Sequence, residues 1–388
     1  MQERDFHPAR AARIFGSGAI AIAVFFVALV IVVPGDALAQ AKKGAAAPAQ
    51  PGAGVRQQGQ NVPLGPNAQP GVPGAGEPDE LTDPRQHMRN FVSSISAYAR
   101  SANPGFIVLT MGGLELLERV DPVDPTKRAA AATYIRNIDG VIAREINFHP
   151  PDERNEIKTD ERIRADRLRL ADIGQKRDLR IWSIDYAKDM AMAQESIRFA
   201  LSKSYLPFPS LDANYRFNAL PRFASRPLNE NPNAVTGINH VKNFLMLTDS
   251  SRWDTQEEFV LALADTNYDA IVIDVFHRGR FPMTARTVEG LKYKKLGTRR
   301  LVLAYANIGE AESHRYYWKP GWKEGSPKFI GAPAADNPDK YAVEYWNPAW
   351  RELMTGNNSS YIYGIVTQGF DGIVLDGVEA YRAFESTQ

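Results

Sequence analysis

Carboxylates follow short apolar runs at several points in the chain, and their placement suits acid–base chemistry. The apolar run 301–305 leads, after a glycine, to Glu310 and Glu312, and two further runs end at Asp274 and Asp376. Two carboxyl groups held close together can divide a reaction between them, one donating a proton while the other accepts one or attacks carbon. Crowding of like charges would also raise the pKa of at least one of them. The sequence therefore contains the residue types needed for catalysis by paired carboxylates.

Glu145 and Asp185 end apolar runs of the same kind, and Glu145 joins Asp274 as a further catalytic candidate. Acids at strand ends also commonly cap helices or pair with neighbouring arginines, so each acid taken alone has a structural alternative. For Glu310 and Asp376 taken together, the catalytic interpretation is favoured.

The elements that must position these acids follow from the hydrophobic pattern. The acid-terminated runs are almost continuously apolar, which is typical of strands buried on both faces of a parallel sheet. Amphipathic segments such as 256–264 alternate with them. Seven or eight such units in about 300 residues predict one α/β domain, a (β/α)8 TIM barrel with its acids at the C-terminal rim. A doubly wound open sheet is the alternative, but no glycine-rich phosphate fingerprint follows a strand.

The N-terminal part differs in composition from the rest. Residues 1–39 have a basic start, an apolar run and an Ala-Leu-Ala site, which predict a signal peptide cut after Ala39 and a secreted or periplasmic protein. An uncleaved membrane anchor is the alternative, since the run approaches the ~18 residues that span a bilayer. Residues 40–85, rich in Ala, Pro and Gly, predict a disordered linker. Residues 86–388 are then the single barrel domain.

Composition excludes several other functions. The chain has no cysteine, so neither a disulfide framework nor a thiolate metal site is present. The formal net charge of +1 gives no field that favours nucleic acid or, after signal cleavage, an anionic membrane. The histidines lack metal-ligand spacing, the mature chain lacks G-x-S-x-G, and no loop could cradle a nucleotide phosphate. We expect a monomer without metal or cofactor.

Three longer motifs are more specific. They are YANIGEAESHRYYW (305–318), YAVEYWNPAWRELM (341–354) and GFDGIVLDGVEAY (369–381). Together they resemble glycoside hydrolase family 114, the endo-α-1,4-polygalactosaminidase-like proteins, and the resemblance covers most of residues 86–385. It implies a TIM barrel that cleaves an amino-sugar polysaccharide. For that reaction we assign Asp376 as nucleophile or stabilising carboxylate and Glu310 as general acid.

Seven neighbouring residues are candidates for substrate binding: Tyr305, Glu312, Arg315, Trp318, Asp185, Glu379 and Tyr381. Carboxylates attract cations, and a polymer of galactosamine is cationic wherever it is not acetylated. Trp318 has an aromatic face on which a sugar ring can stack, whereas for Trp346 and Trp350 core packing is favoured.

The sequence departs from the family pattern in two places. The helix-plus-PGF segment (88–109) precedes the acid motifs instead of following them, which predicts a circularly permuted strand order with residues 209–239 joining the old ends. Second, Met111-Gly112-Gly113 replaces the family's Gln-Asn-Gly and removes two amide contacts to a ligand. A carbohydrate-binding or scaffold barrel without turnover is therefore the alternative function.

Two segments are interpreted from composition alone. Residues 319–340, rich in Pro and Gly, predict an irregular loop. The charged segment 150–178 predicts one solvated helix with Ile163, Leu168 and Leu170 facing inward.

Overall fold

The computed structural model describes residues 83–121, 123–151, 155–211, 216–222, 225–335 and 337–385. The predicted signal peptide and residues 40–82 of the predicted linker lie outside these ranges.

Eight parallel strands form the central sheet, which closes almost completely into a barrel. In chain order they are β1 (Ile107–Met111), β2 (Gly140–Arg144), β3 (Arg180–Tyr186), β4 (Leu206–Ser210), β5 (Phe244–Leu247), β6 (Ala270–Asp274), β7 (Leu301–Asn307) and β8 (Gly372–Asp376). Around the sheet the order is β4-β3-β2-β1-β8-β7-β6-β5, so the last strand returns to pair with the first. The predicted (β/α)8 TIM barrel is confirmed, while the circular permutation stays a prediction.

Helices alternate with these strands. They are α1 (Pro84–Ala102), α2 (Ala132–Arg136), α3 (Glu161–Gln175), α4 (Met190–Ser202), α5 (Gln256–Ala264), α6 (Ala285–Leu291), α7 (Pro348–Thr355), α8 (Tyr361–Thr367) and α9 (Arg382–Glu385). The local sequence determines where several helices begin. The Asp83 side chain accepts a hydrogen bond from the backbone N–H of Gln86, the third residue of α1, and Thr255 forms a capping box with Glu258 at the start of α5. Helix α1 begins at Pro84, two residues before the predicted domain boundary. In the described ranges no helix is long and apolar enough to cross a bilayer.

The edge strands β4 and β5 meet at a seam closed by aromatic side chains. The rings of Phe208 and Phe244 lie 5.4 Å apart across it, and Trp182 on β3 contacts Phe244 at 4.5 Å. Because β3 and β5 are not neighbours in the sheet, the last contact places Trp182 and Phe244 inside the barrel. The connection across the seam, 211–243, contains one short 3-10 turn at Ile238–His240 among its described residues.

Strand register then assigns the other inward-facing side chains. Residues directly opposite one another in a ladder share a face, and successive residues of a strand alternate between faces. Phe244 lies opposite Ala270, which lies opposite Leu301, so Leu301, Leu303, Tyr305 and Asn307 of β7 point inward. By the same rule Trp182 lies opposite Ile142, so Arg144, two residues further along β2, points inward as well.

Several smaller elements lie outside the barrel strands. An antiparallel sheet consists of Glu310–Glu312, Asn337–Val343 and Ile330–Ala334 in that spatial order, and two hairpins pair Glu118–Val120 with Arg128–Ala130 and Phe276–His277 with Phe281–Pro282. A 3-10 turn spans Leu114–Leu117. The loop predicted for 319–340 is therefore wrong in its second half. The prolines there are accommodated at a register irregularity in the edge strand and near the start of the central strand.

The helix predicted for 150–178 is restricted to α3. Asp160 caps the N-terminus of this helix, and its side chain accepts hydrogen bonds from the backbone N–H groups of Arg162 and Ile163. Leu170 is buried as expected, but Ile163 is 50% exposed. Ile163 lies in the first turn of α3, where it lines a pocket beside Glu145 instead of the core.

Candidate active site

The carboxyl ends of β6, β7 and β8 bring three predicted site residues to one rim of the barrel. Tyr305 lies opposite Asp274, and Asn307, two residues further along β7, lies opposite Asp376. Since residues opposite in a ladder share a face, all four side chains point into the barrel mouth. Asp376 and Glu310 are partly exposed there, whereas Asp274 is buried.

Both carboxylate oxygens of Asp376 accept hydrogen bonds. The Tyr305 hydroxyl donates to Oδ2 at 2.6 Å, and the backbone N–H of Gly377 donates to Oδ1 at 2.8 Å. Burial raises the pKa of Tyr305 well above its ordinary value, and the charge of Asp376 adds to this effect. The hydroxyl therefore keeps its proton and holds the Asp376 carboxylate in one orientation.

A tight turn after β7 carries Glu310 back over the rim. The Asn307 side-chain oxygen accepts from the backbone N–H groups of Gly309 and Glu310, while its Nδ2 donates to Glu310 Oε2 at 2.7 Å. A side chain at Gly309 would collide with the carbonyl oxygen of Gly377. Lys340 on the small sheet supplies a second partner, its Nζ lying 3.5 Å from Glu310 Oε2.

Arg315 joins two further acids beneath this rim. Its guanidinium lies 2.7 Å from Asp274 Oδ1 and 2.5 Å from Glu312 Oε2, and the three side chains are only 3%, 11% and 7% exposed. Burial raises the pKa of Asp274 more than Arg315 lowers it. For Glu312 burial also acts upward, but Arg315 and Lys340 bring the net pKa below its ordinary value. This buried triad anchors the loop after Glu312 and leaves Asp376 and Glu310 as the partly exposed acids.

Arg144 and Glu379 form another ion pair at the mouth. Arg144 donates to Glu379 Oε2 at 2.6 Å, and Arg382 lies 2.8 Å from the other oxygen. Burial lowers the pKa of Arg144, but Asp376 and Glu379 raise it by more. Glu379 lies directly over Gly112, where an added Cβ would come within 2.7 Å of Oε2. The changed loop after β1 thus makes room for this ion pair.

Two predicted acids lie away from the rim. Asp185 follows the inward-facing Ile184, so it points outward; it is 1% exposed and accepts hydrogen bonds from Asn147, Phe148 and Ser196. Glu145 follows the inward-facing Arg144. It bonds to Arg167 of α3, and it lines a pocket of about 410 Å³ beside that helix.

Tyr381 and Trp318 also lie away from the acids. Tyr381 is fully buried, and the Arg85 guanidinium of α1 lies 5.3 Å from its ring centroid. Trp318 packs against Tyr341 at 4.9 Å. Tyr341 directly follows Lys340 on its strand, so it projects from the face of the small sheet opposite to Lys340 and its acids. Trp350 is fully buried, in agreement with the core packing favoured for it.

Asn307, Lys340 and Arg144 are the site residues that the sequence analysis did not nominate. Asn307 lies two residues beyond the predicted strand, so continuing the alternation of β7 would have found it. Arg144 was not nominated because the register of β2 was unknown, and its neighbour Glu145 was assigned to the mouth instead. Lys340 lies in a segment without a strand signal. In the described ranges no group of three or more acidic or histidine side chains is arranged to hold a metal ion.

Comparison with known proteins bears on the half of the barrel that holds these acids. Residues 243–388 match the family model of glycoside-hydrolase family GH114. Over this range the chain is similar to family GH114. The matched range contains β5 to β8, so it includes Asp274, Glu310 and Asp376. The family resemblance inferred from the motifs is confirmed over this range.

Three proteins similar to this chain are uncharacterized. One from Methanocaldococcus jannaschii is 33% identical over 175 residues, 45% of this chain and 48% of the relative. One from Deinococcus radiodurans is 30% identical over 125 residues, 32% and 38% of the two chains. One from Thermotoga maritima is 38% identical over 80 residues, 21% and 24%. The chain thus spans less than half the length of each of these relatives.

Proposed function

We propose that this protein is an exported glycosidase that cleaves an amino-sugar polysaccharide of the α-1,4-polygalactosamine type. One observation carries the proposal: Asp376 and Glu310 are partly exposed on one barrel rim, and strand β7 holds both, through Tyr305 and Asn307 respectively. Glycosidic bond cleavage generally requires two carboxyl groups flanking the anomeric carbon.

The contacts of each acid support a division of roles. Two donors fix the Asp376 carboxylate, so one of its oxygens can face the anomeric carbon as nucleophile or as a stabilising charge for an oxocarbenium-like transition state. Glu310 stands beside it and donates a proton to the leaving oxygen. Asp274, tied to Arg315, acts by positioning that arginine.

The other nominated residues have supporting roles in this proposal. Tyr305 orients Asp376, Glu312 and Arg315 hold the loop that forms one wall of the mouth, and Glu379 with Arg144 forms another wall. The leader predicted at residues 1–39 delivers the enzyme to the periplasm or medium as a monomer, where a polysaccharide is accessible.

The test is hydrolysis of partly deacetylated galactosaminogalactan by residues 40–388, with the released oligosaccharides measured by mass spectrometry. Wild type should release oligomers, and Asp376→Asn and Glu310→Gln should each lower the rate by at least about a thousandfold. The thermal midpoints should stay within a few degrees of wild type, because both acids are partly exposed. Glu145→Gln is the control: Glu145 lies beside α3, away from the rim, so this variant should retain activity.

A carbohydrate-binding barrel without turnover is the second candidate. It is favoured by the loop Met111-Gly112-Gly113, over which Glu379 occupies the space beside Gly112. Polysaccharide binding without released oligomers, in wild type and Asp376→Asn alike, would support this second function.

A further inference from the structure

The small antiparallel sheet delivers a lysine to the barrel mouth. Lys340 lies opposite Glu312, and Ala342 lies opposite Glu310. Cross-strand partners share a face, and so do residues two apart on one strand. Glu310, Glu312 and Lys340 therefore project from the same face of the sheet, towards the rim that carries Asp376.

The Lys340 ammonium group is closer to Glu310 than to its cross-strand partner. Its Nζ lies 3.5 Å from Glu310 Oε2 and 3.9 Å from Glu312 Oε1, and its side chain is 29% exposed. Burial lowers its pKa, but the charges of Glu312, Glu310 and Asp376 raise it by more. Lys340 is thus a permanent cation that remains accessible from the mouth.

The other cations at the mouth are engaged by other acids. Arg315 pairs with Asp274 and Glu312, and Arg144 pairs with Glu379. Arg382 is shared between Glu379 at 2.8 Å and Glu115 at 2.6 Å. Lys340 is the cation placed beside Glu310.

The geometry points to Lys340 as a specificity-determining residue that selects an N-acetylated amino sugar at the position beside Glu310. The inference rests on the proposed glycosidase function and names the substituent that its substrate carries there. A free ammonium group bound to Glu310 would lie close to Lys340, and like charges in a partly buried mouth repel strongly. An acetamido group carries no charge, and its carbonyl oxygen can accept a hydrogen bond from the Lys340 ammonium.

The test compares kcat/KM on two polygalactosamine samples of equal length, one N-acetylated and one fully deacetylated. Wild type should prefer the acetylated polymer by about tenfold or more, and Lys340→Met should reduce that ratio by about tenfold. Lys340→Arg, which keeps the charge, should retain most of the preference. Lys295→Met removes a partly exposed lysine that pairs with Asp265 elsewhere, and it should leave the ratio unchanged.

Two results would overturn the inference. One is a wild-type preference for the deacetylated polymer, and the other is an equal loss on both polymers in Lys340→Met, which would make the lysine merely structural. If wild type cleaves neither polymer, the glycosidase proposal fails separately. In that case calorimetry measures the affinities of wild type and Lys340→Met for the two polymers. An unchanged ratio of affinities would reject the role of Lys340 in selectivity. A reduced preference of Lys340→Met for the acetylated polymer would support it.

Discussion

The Tyr305 hydroxyl lies 2.6 Å from Asp376 Oδ2, across two adjacent barrel strands. Two residues further along the same strand, Asn307 bonds to Glu310 at 2.7 Å. Strand β7 therefore positions both carboxylates that we propose as catalytic. Rigid strands hold reacting groups more accurately than loops do, and this is why the two contacts are the first targets for mutation.

Replacing Tyr305 with Phe removes the hydroxyl and keeps the ring. Asp376 then loses one of its two donors, so kcat should fall by about 10- to 100-fold while KM changes little. The thermal midpoint should fall by only a few degrees, since one hydrogen bond contributes about 1 kcal/mol. Kinetics on the polysaccharide and a melting curve check both statements. An unchanged kcat would show that the hydroxyl does not orient the reacting carboxylate.

Arg315→Met should destabilise the fold by about 3–5 kcal/mol, because it leaves Asp274 and Glu312 buried without a cation. Urea denaturation measures the loss. Adding Asp274→Asn and Glu312→Gln to the same chain removes the unpaired charges and should recover much of the stability. A triple variant that is no more stable than Arg315→Met would mean that packing, and not charge, explains the effect.

Glu379 should make stability depend on pH in the acidic range. Burial raises its pKa, but Arg144 and Arg382 lower it by more, so the folded-state pKa lies below the ordinary value of 4.5. Between the two values the unfolded chain binds more protons than the folded one, and stability rises with pH. The contribution is complete above about pH 4.5 and is lost as the pH falls through the folded-state pKa.

Urea midpoints of wild type and Glu379→Gln across this pH range provide the measurement for that expectation. The gap between the two proteins should be largest near neutral pH and should narrow in acid. Glu352→Gln, at an exposed position of α7, is the matched control and should follow wild type throughout. A gap that stays constant with pH would remove Glu379 from the acid sensitivity of the fold.

The strands and the barrel were predictable from the sequence, but the direction of side chains at strand ends was not. Asp185 and Glu145 end apolar runs as convincingly as Asp376 does, yet both point out of the barrel. In a strand one residue separates the inner from the outer face, so a one-residue uncertainty in register changes the assignment of a terminal acid. Arg144 reaches the mouth for the same reason that Glu145 does not.

Lys340 was beyond prediction for a different reason. Its strand begins at Asn337-Pro338 and pairs with a strand containing Pro333, so the local composition indicates a turn. The pairing with Glu310–Glu312 comes from contacts between segments about 30 residues apart in the chain, which local propensity does not register.

Gly112→Ala tests the loop that differs from the family pattern. Gly112 has a φ of 77°, and a Cβ there would meet Glu379 Oε2 at 2.7 Å. The substitution should cost about 1–3 kcal/mol and should displace Glu379 from Arg144, lowering activity as well. Gly290→Ala in α6 is the control: a Cβ there meets nothing within 4 Å. Chemical denaturation should show that variant to be as stable as wild type or more stable, by up to about 1 kcal/mol.

Lys294 binds the connection between β4 and β5 (residues 211–243). It lies at the end of the barrel opposite to the proposed catalytic acids. Its side chain and that of Asp269 are both 0% exposed, with Nζ 3.0 Å from Oδ1, and Nζ also donates to the carbonyl oxygens of Asn231 and Asn233. Lys294→Met should therefore cost about 3–5 kcal/mol by leaving a buried carboxylate unpaired. Lys294→Met with Asp269→Asn should regain part of it. Hydrogen exchange should show faster opening of residues 229–243 in the single variant; unchanged protection there would mean that the pair does not hold the connection between β4 and β5.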